Sequence, residues 1–269
     1  MLSRAGEEVK VLAGGTDLLV NLKKNQGTCT GLVNIKTLPG LTGINFTALT
    51  MRIGALTKIS AIVENESLQA EFPVLRAAAQ SLGTPQIRNL ATVGGNLCNA
   101  SPAADLAVAL LVYGAKVFMT GPHGTREMLL EQFITGPGQT ALAKGEILTA
   151  VELVRPAATA NGAFMKHGKR KSHEIAIVNL AVLLLPDQDH STIAEAKIAL
   201  GAVAPTPLRA RRAEEILINQ QAGDSLWERA AVEAMAEVHP IDDARSTAGY
   251  RTEMVGVLLK RVLRTAWEG

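Results

Sequence analysis

Residues 91–114, ATVGGNLCNASPAADLAVALLVYG, set a glycine pair behind a strand-like stretch and a Ser-Pro ahead of a long apolar helix. An earlier segment, KVLAGGTDLLVNLKK at 10–24, repeats the plan: an apolar run, then Gly14-Gly15-Thr16-Asp17, then a helix. Glycine admits positive φ and close approach because it carries no Cβ. Successive peptide N–H groups in such a turn form a concave nest for phosphate oxygens. A helix beginning just beyond adds unsatisfied N–H groups and a positive dipole end. Thr16 or Asp17 can cap the first helix. After Gly94-Gly95-Asn96, Ser101 is a natural N-cap and Pro102 suits the first helical position, where no N–H is required. Either turn alone is equally an ordinary strand-to-helix connection. Two of them, both with polar caps, point to one diphosphate held from two sides. Asp105, in the first turn of the second helix, either complements the dipole or accepts hydrogen bonds from a ribose-like hydroxyl.

Working outward, VKVLA (9–13) reads as a short buried strand and the helix runs from about Leu18 to Lys24. LVNIK (32–36) is a second strand, and MRIGALTKIS (51–60) a strand leading into a helix. FPVLRAAAQSL (72–82) has helical apolar spacing. AKVFMTG and EILTAVEL alternate as antiparallel strands do. A break rich in Ala, Pro, Gly and Asn falls at 155–162. Beyond it, 163–169, 174–185 and 193–203 read as three strands, APTPLRA as a punctuated crossover, and 209–220, 224–237 and 246–267 as helices. Strands followed by helices make an α+β order rather than a βαβ repeat. The expected division is 1–155, itself two α+β subdomains split near 50, and 160–269.

The totals narrow the class. Of 269 residues, 47% are apolar and 19% charged, enough for a full core. The formal net charge of +2 is too balanced to imply a nucleic-acid partner. No run approaches ~18 uninterrupted apolar residues, so no membrane span is expected. The start, MLSRAGEEVKV, shows no apolar signal core, and a cytoplasmic location is expected. Cys29 and Cys98 are the only cysteines, too few and too far apart for an iron–sulfur or Cys-x-x-Cys site. The five histidines lack ligand spacing, so no metal site is expected. Gly136-Pro137-Gly138-Gln139-Thr140-Ala141 matches G-x-G-x-x-A. However, its proline removes an N–H and no strand leads into it, which speaks against a dinucleotide fingerprint. The basic run KHGKRK (166–171) is either a solvated strand edge or places Lys166 near an anionic ring or phosphate. DDARSTAGYR (242–251) most simply caps the last helix through Ser246 or Thr247; an intersubunit contact is the alternative.

Five stretches, AGGTDLL (13–19), ATVGGNLCNASPAADL (91–106), GEILTAVEL (145–153), FMKHGKRKSHEIAIVNLA (164–181) and DDARSTAGYR, run in one order across nearly the whole chain. In that order they resemble the FAD-binding medium subunit of the molybdenum hydroxylases, the xanthine dehydrogenase and carbon monoxide dehydrogenase group. The resemblance implies a vanillyl-alcohol-oxidase/PCMH-type FAD-binding domain. A C-terminal domain would follow, built from a three-stranded antiparallel sheet and a helix bundle. It carries FAD contacts onto Val11, Leu12, Ala13, Gly14, Gly15, Thr16, Asp17 and Leu18. A second set falls on Thr92, Val93, Gly94, Gly95 and Asn96, with Ser101 at the helix start. Asp105 would lie toward the ribose side, Leu148 and Leu82 would give apolar contact, and Lys166 would stabilise the reduced flavin or orient the adenine half. The flavin would be the reactive centre, so no catalytic side chain is expected.

By the same resemblance the chain would be the electron-transfer subunit of a heterotrimer or a dimer of heterotrimers. A large subunit would hold the molybdenum cofactor, and a small one [2Fe–2S] clusters that feed this flavin. The acceptor would be NAD, a quinone or another carrier. Two departures stand out. Members usually carry a further strand and helix before the first glycine turn, so a different start, a truncation or a partner filling the gap is expected. His173-Glu174 replaces the more usual acidic residue before Ile-Ala. Two rivals remain: a self-contained flavoenzyme of the same fold, and a scaffold subunit without redox work.

Overall fold

The computed structural model describes residues 8–24, 28–170 and 174–269. Residues 1–7, Lys171 and His173, on which parts of the sequence reading fall, lie outside them. Strand β1 (Val9–Leu12) runs parallel to β2 (Gly31–Asn34), joined through helix α1 (Leu18–Lys23). Parallel neighbours need a crossover, and α1 supplies it. No α1 residue is buried; this unit attaches through a small cluster of Ile35, Leu41 and Leu56, against which Ala13 and Val33 pack.

A five-stranded antiparallel sheet follows. Its spatial order is β3 (Ile44–Phe46), β4 (Thr50–Gly54), β9 (Ile147–Val154), β5 (Lys116–Gly121) and β6 (Gly124–Leu129). The antiparallel pairing expected for AKVFMTG and EILTAVEL is the β5–β9 ladder. Between β4 and β5 the chain winds through α2 (Ile59–Glu64), α3 (Glu66–Glu71), α4 (Pro73–Ser81), α5 (Pro85–Arg88), α6 (Val93–Asn99) and α7 (Asp105–Val112). Every residue of α7, DLAVALLV, is buried, as befits a helix apolar on all sides. After β6, α8 (Leu130–Phe133) leads to the hairpin β7 (Ile134–Gly136) and β8 (Gln139–Thr140). The GPGQTA sequence thus forms a hairpin, in no strand-to-helix context.

The second sheet runs β10 (Asn161–His167), β11 (Val178–Pro186), β12 (Ile193–Gly201) and β13 (Leu208–Arg209), all antiparallel. It has four strands rather than the three expected, because the crossover APTPLRA adds β13 to the edge. Alternation divides β11 between two cores. Val178, Leu180, Val182 and Leu184 face α9 (Arg211–Leu217), α10 (Asp224–Glu237) and α11 (Ala248–Glu268). Ala181 and Leu183 face the core that contains α4 and α7. The run VNLAVLLL is therefore near-continuously apolar because both faces are covered. Thr247, one of the two caps expected for the last helix, accepts from Tyr250 N–H at its start. The architecture is α+β. Among the described residues no helix is long and apolar enough to cross a membrane.

Candidate functional site: a cleft between the two sheets

A cleft of about 1150 Å³ opens between the β1–α1 unit, the loops around α6, and the ends of β9 and β10. Such a volume exceeds that of most drug-sized pockets, roughly 300–1,000 Å³, and suits an extended ligand. Of the residues expected to touch a cofactor, Val11, Ala13 to Leu18, Leu82, Thr92, Gly94 to Asn96, Ser101, Asp105, Leu148 and Lys166 all line it. Two do not. Val93 is wholly buried in the main core, and Leu12 turns its carbonyl to Ile35 N–H behind the wall.

The two glycine segments touch. A Cβ on Gly14 would lie 2.4 Å from the Leu90 carbonyl oxygen, so the first turn packs main chain against the peptide that leads to Thr92. Gly15 has φ +82°, a left-handed conformation that costs other residues roughly 1–2 kcal/mol. Among the described residues, the N–H groups of Gly14, Gly15, Thr16 and Asp17 meet no acceptor. These are the free donors that an anion requires.

The second segment differs from its sequence reading. Gly94 and Gly95 do not form a turn ahead of a helix; they lie inside α6, capped by the Thr92 hydroxyl. The first N–H groups of α6 are already used. Val93 donates to Thr57 O, Gly94 to Ala55 O, Gly95 to Thr92 Oγ1 and Asn96 to Thr92 O. A Cβ on Gly94 would sit 2.7 Å from Ala55 Cβ, so this glycine serves internal packing. Helices α1 and α6 have six and seven residues, and their dipoles are correspondingly modest. What α6 offers the cleft is Asn96, whose buried Oδ1 has no partner among the described residues. Ser101 does not cap α7 either; that helix begins at Asp105 behind Ala104, and Ser101 Oγ instead accepts from Ala103 N–H.

Asp105 is 5% exposed, and both its oxygens are engaged. Lys166 Nζ donates to Oδ2 at 2.6 Å and Asn179 Nδ2 to Oδ1 at 2.6 Å. Burial pushes the Asp105 carboxyl up, and Lys166, with hydrogen bonds from Asn179 and Ser81, pulls it back. Asp105 thus anchors Lys166 at the wall; the sequence offered it either as a dipole complement at a helix start or as an acceptor for a ribose-like hydroxyl. Lys166 also donates to the Ser81 carbonyl at 3.3 Å. Leu148, in the β9 ladder opposite Met119, and Leu82, at the end of α4, give apolar wall. Beside Leu148, Glu146 is held by Arg126 and the Ala143 N–H, which lower its carboxyl to about 2. Burial raises the Cys98 thiol to about 12, which makes it a neutral part of the lining.

Sequence reasoning missed Ala55 and Leu56, Lys10, Lys169 and Arg170 on the wall, and Asn179 behind it. Gly54 was a usable signal for the first two, since a lone glycine ending a strand often marks close backbone approach. Asn179 was legible as a single polar residue in an apolar run. Among the described residues no three His, Cys, Asp or Glu side chains gather as metal ligands would.

Comparison with known proteins matches this geometry to a family. The FAD binding domain in molybdopterin dehydrogenase matches residues 1–156, and the CO dehydrogenase flavoprotein C-terminal domain residues 163–266. The chain is 33% identical to the xanthine dehydrogenase FAD-binding subunit of Escherichia coli O157:H7, over 96% of this chain and 89% of that one. It is 33% identical to the carbon monoxide dehydrogenase medium chain of Afipia carboxidovorans, over 99% and 91%. A solved carbon monoxide dehydrogenase from Hydrogenophaga pseudoflava superposes with a TM-score of 0.96 at 31% identity, covering 99% of this chain and 92% of that one.

Proposed function

The chain belongs to the FAD-binding subunits of the molybdenum hydroxylases, and on that premise we propose that it is the flavin-bearing electron-transfer subunit of a heteromeric oxidoreductase. The observation that carries the reading is the run of unused N–H groups at Gly14–Asp17, with Gly14 packed against the Leu90–Ala91 peptide, in a cleft of about 1150 Å³. The residues fit the cofactor. Free donors meet a diphosphate, the orphaned Asn96 Oδ1 awaits a donor, and Leu82 and Leu148 supply apolar wall.

When bound, FAD supplies the electron-transfer chemistry. This chain's residues then bind and orient. Val11 and Ala13 to Leu18 line one part of the cleft, and Thr92, Gly94 to Asn96 and Ser101 another. Lys166 places a positive charge beside the ligand, and Asp105 holds that charge in position. No side chain acts as acid, base or nucleophile. In the proposed complex, electrons arrive from [2Fe–2S] clusters on a small partner and leave to NAD, a quinone or another carrier. A large partner in the same cytoplasmic assembly carries the molybdenum cofactor. We take 1–155 as the FAD-binding domain and 160–269 as the C-terminal one.

Purification of the chain with its natural partners tests this reading. Stoichiometric FAD, with iron and molybdenum accompanying other chains, is expected. A colourless complex, or a flavin-loaded chain that turns over a substrate alone, would refute it.

A further inference from the structure

Asn179 is wholly buried and sits at the centre of a transverse row. In the second sheet Lys166 on β10 pairs with Asn179 on β11, which pairs with Gly201 on β12. All three face the start of α7. A Cβ on Gly201 would lie 2.1 Å from Asn179 Oδ1 and 2.7 Å from Val108 Cγ2, so the missing side chain is the space Asn179 occupies. From that space its amide donates to Asp105 Oδ1 at 2.6 Å, while Lys166 takes Oδ2. The arrangement is costly as plain packing. Among the described residues Asn179 Oδ1 has no partner, and an unsatisfied buried acceptor is rare enough to need a reason. A leucine in the same space would leave no such orphan.

We propose that Asn179 is a positioning residue for the cleft: it holds Asp105 as the anion that fixes Lys166 at the cofactor wall, in a space that Gly201 opens. The inference rests on the flavin reading above and extends it to a residue that lies behind the wall. Through this row the C-terminal sheet, rather than the glycine turns, sets the charge beside the bound group. Lys166 is the charged group that faces Asp105 across the interface, with the Ser81 hydroxyl beside it on α4; Lys166 also acts electrostatically on Glu174.

The test compares the full chain with Asn179→Leu and Asn179→Asp. FAD affinity is followed by flavin fluorescence from about pH 5.5 to about pH 9. The Asp105 carboxyl is followed by ¹³C NMR in the FAD-free chain. In Asn179→Leu the anion loses a donor, so the Asp105 titration moves up and FAD binding weakens at least about tenfold at neutral pH, ~1.4 kcal/mol. In Asn179→Asp two adjacent carboxylates share one proton, which restores the donor. Affinity then stays near the parent's at low pH and falls as that proton leaves, a slope that a structural defect would not produce. A flat profile in Asn179→Asp, or parental affinity with an unshifted Asp105 in Asn179→Leu, overturns the proposal. Should Asn179→Leu fail to fold, the Asn179→Asp profile decides alone. A parent that binds no FAD refutes the flavin reading instead, and the carboxyl titration still reports on Asn179.

Discussion

Gly14→Ala is the smallest change that tests whether contact between the two glycine segments makes the site. Gly14 does not have the positive φ of Gly15, so alanine is compatible with its backbone and only the added methyl matters. That methyl would lie 2.4 Å from the Leu90 carbonyl oxygen and 3.0 Å from Ala91 Cα. A carbon–oxygen contact tolerates roughly 3.3 Å, so the walls must part by about 1 Å. Both neighbouring atoms are main chain, and no side chain can turn aside to relieve them. Overpacking of this kind costs about 1–3 kcal/mol. The β1–α1 unit has no buried helix residue and rests on its own small cluster, so the strain is relieved there by displacement while the two large cores stay intact. FAD dissociation is then expected to rise about ten- to hundredfold, ~1.4–2.8 kcal/mol, with little change in the main unfolding transition. Fluorescence titration and calorimetry read the two quantities. Gly249→Ala, where a Cβ meets nothing within 4 Å, should leave affinity unchanged. Parental affinity in Gly14→Ala would show that ligand binding does not depend on this contact.

Lys166→Met removes the cation and leaves Asp105 with Asn179 and Ser81 as donors in a buried site; the flavin midpoint potential should fall or FAD affinity weaken, and redox titration matching the parent in both would reduce Lys166 to inert wall. Arg209→Met strands Glu214, whose carboxylate pairs with Arg209 and takes the Ile198 N–H while both side chains are 7% exposed; a loss of about 3–5 kcal/mol is expected by urea unfolding, and a change under ~1 kcal/mol would contradict it. Glu146 sits at about 2, below the ordinary glutamate value of 4.5, chiefly through hydrogen bonds from Arg126. Its stabilising share is therefore full above pH 4.5 and lost as pH falls toward 2. Glu146→Gln should flatten the acid limb of the stability curve in that window, and an unchanged limb would assign acid sensitivity elsewhere.

The parts of the fold that were legible are those where periodicity and burial agree. DLAVALLV reads as an apolar helix, and it is one, with every residue buried. The stretch 174–185 reads as a strand, and Val178–Pro186 is one, with α7 and α11 packed on it. Local signals failed where a distant segment decided the outcome. VGGNLCN is a poor helix by propensity, yet α6 forms because Thr57 O and Ala55 O take its first N–H groups. Ser101-Pro102 looks like a helix start, but the Pro102 carbonyl accepts the N–H of Ala202, just past β12, and the helix begins later, at Asp105. Strand β13 is two residues long, too short for any period to show, and exists only as an edge partner of Ala199 and Leu200.

The glycines point to how such a site is assembled. The sequence suggested four residues kept bare for a ligand, with donors arriving from opposite sides. In the structure Gly14 is bare for Leu90, Gly94 for Ala55, and Gly95 for the Thr92 hydroxyl that caps α6. Only Gly15 is demanded by its own backbone conformation. Three internal contacts therefore draw the first turn, the 90–92 peptide and the exit of β4 into one surface. The unused N–H groups of Gly14–Asp17 are left exposed on that surface as a result. Donors then come from the first turn, while the neighbouring lining contributes Asn96 and, through Asp105 and Asn179, an anchored cation. A ligand that carries a diphosphate at one point and hydrogen-bond donors beside it meets both with complementary chemistry, which neither glycine segment supplies alone.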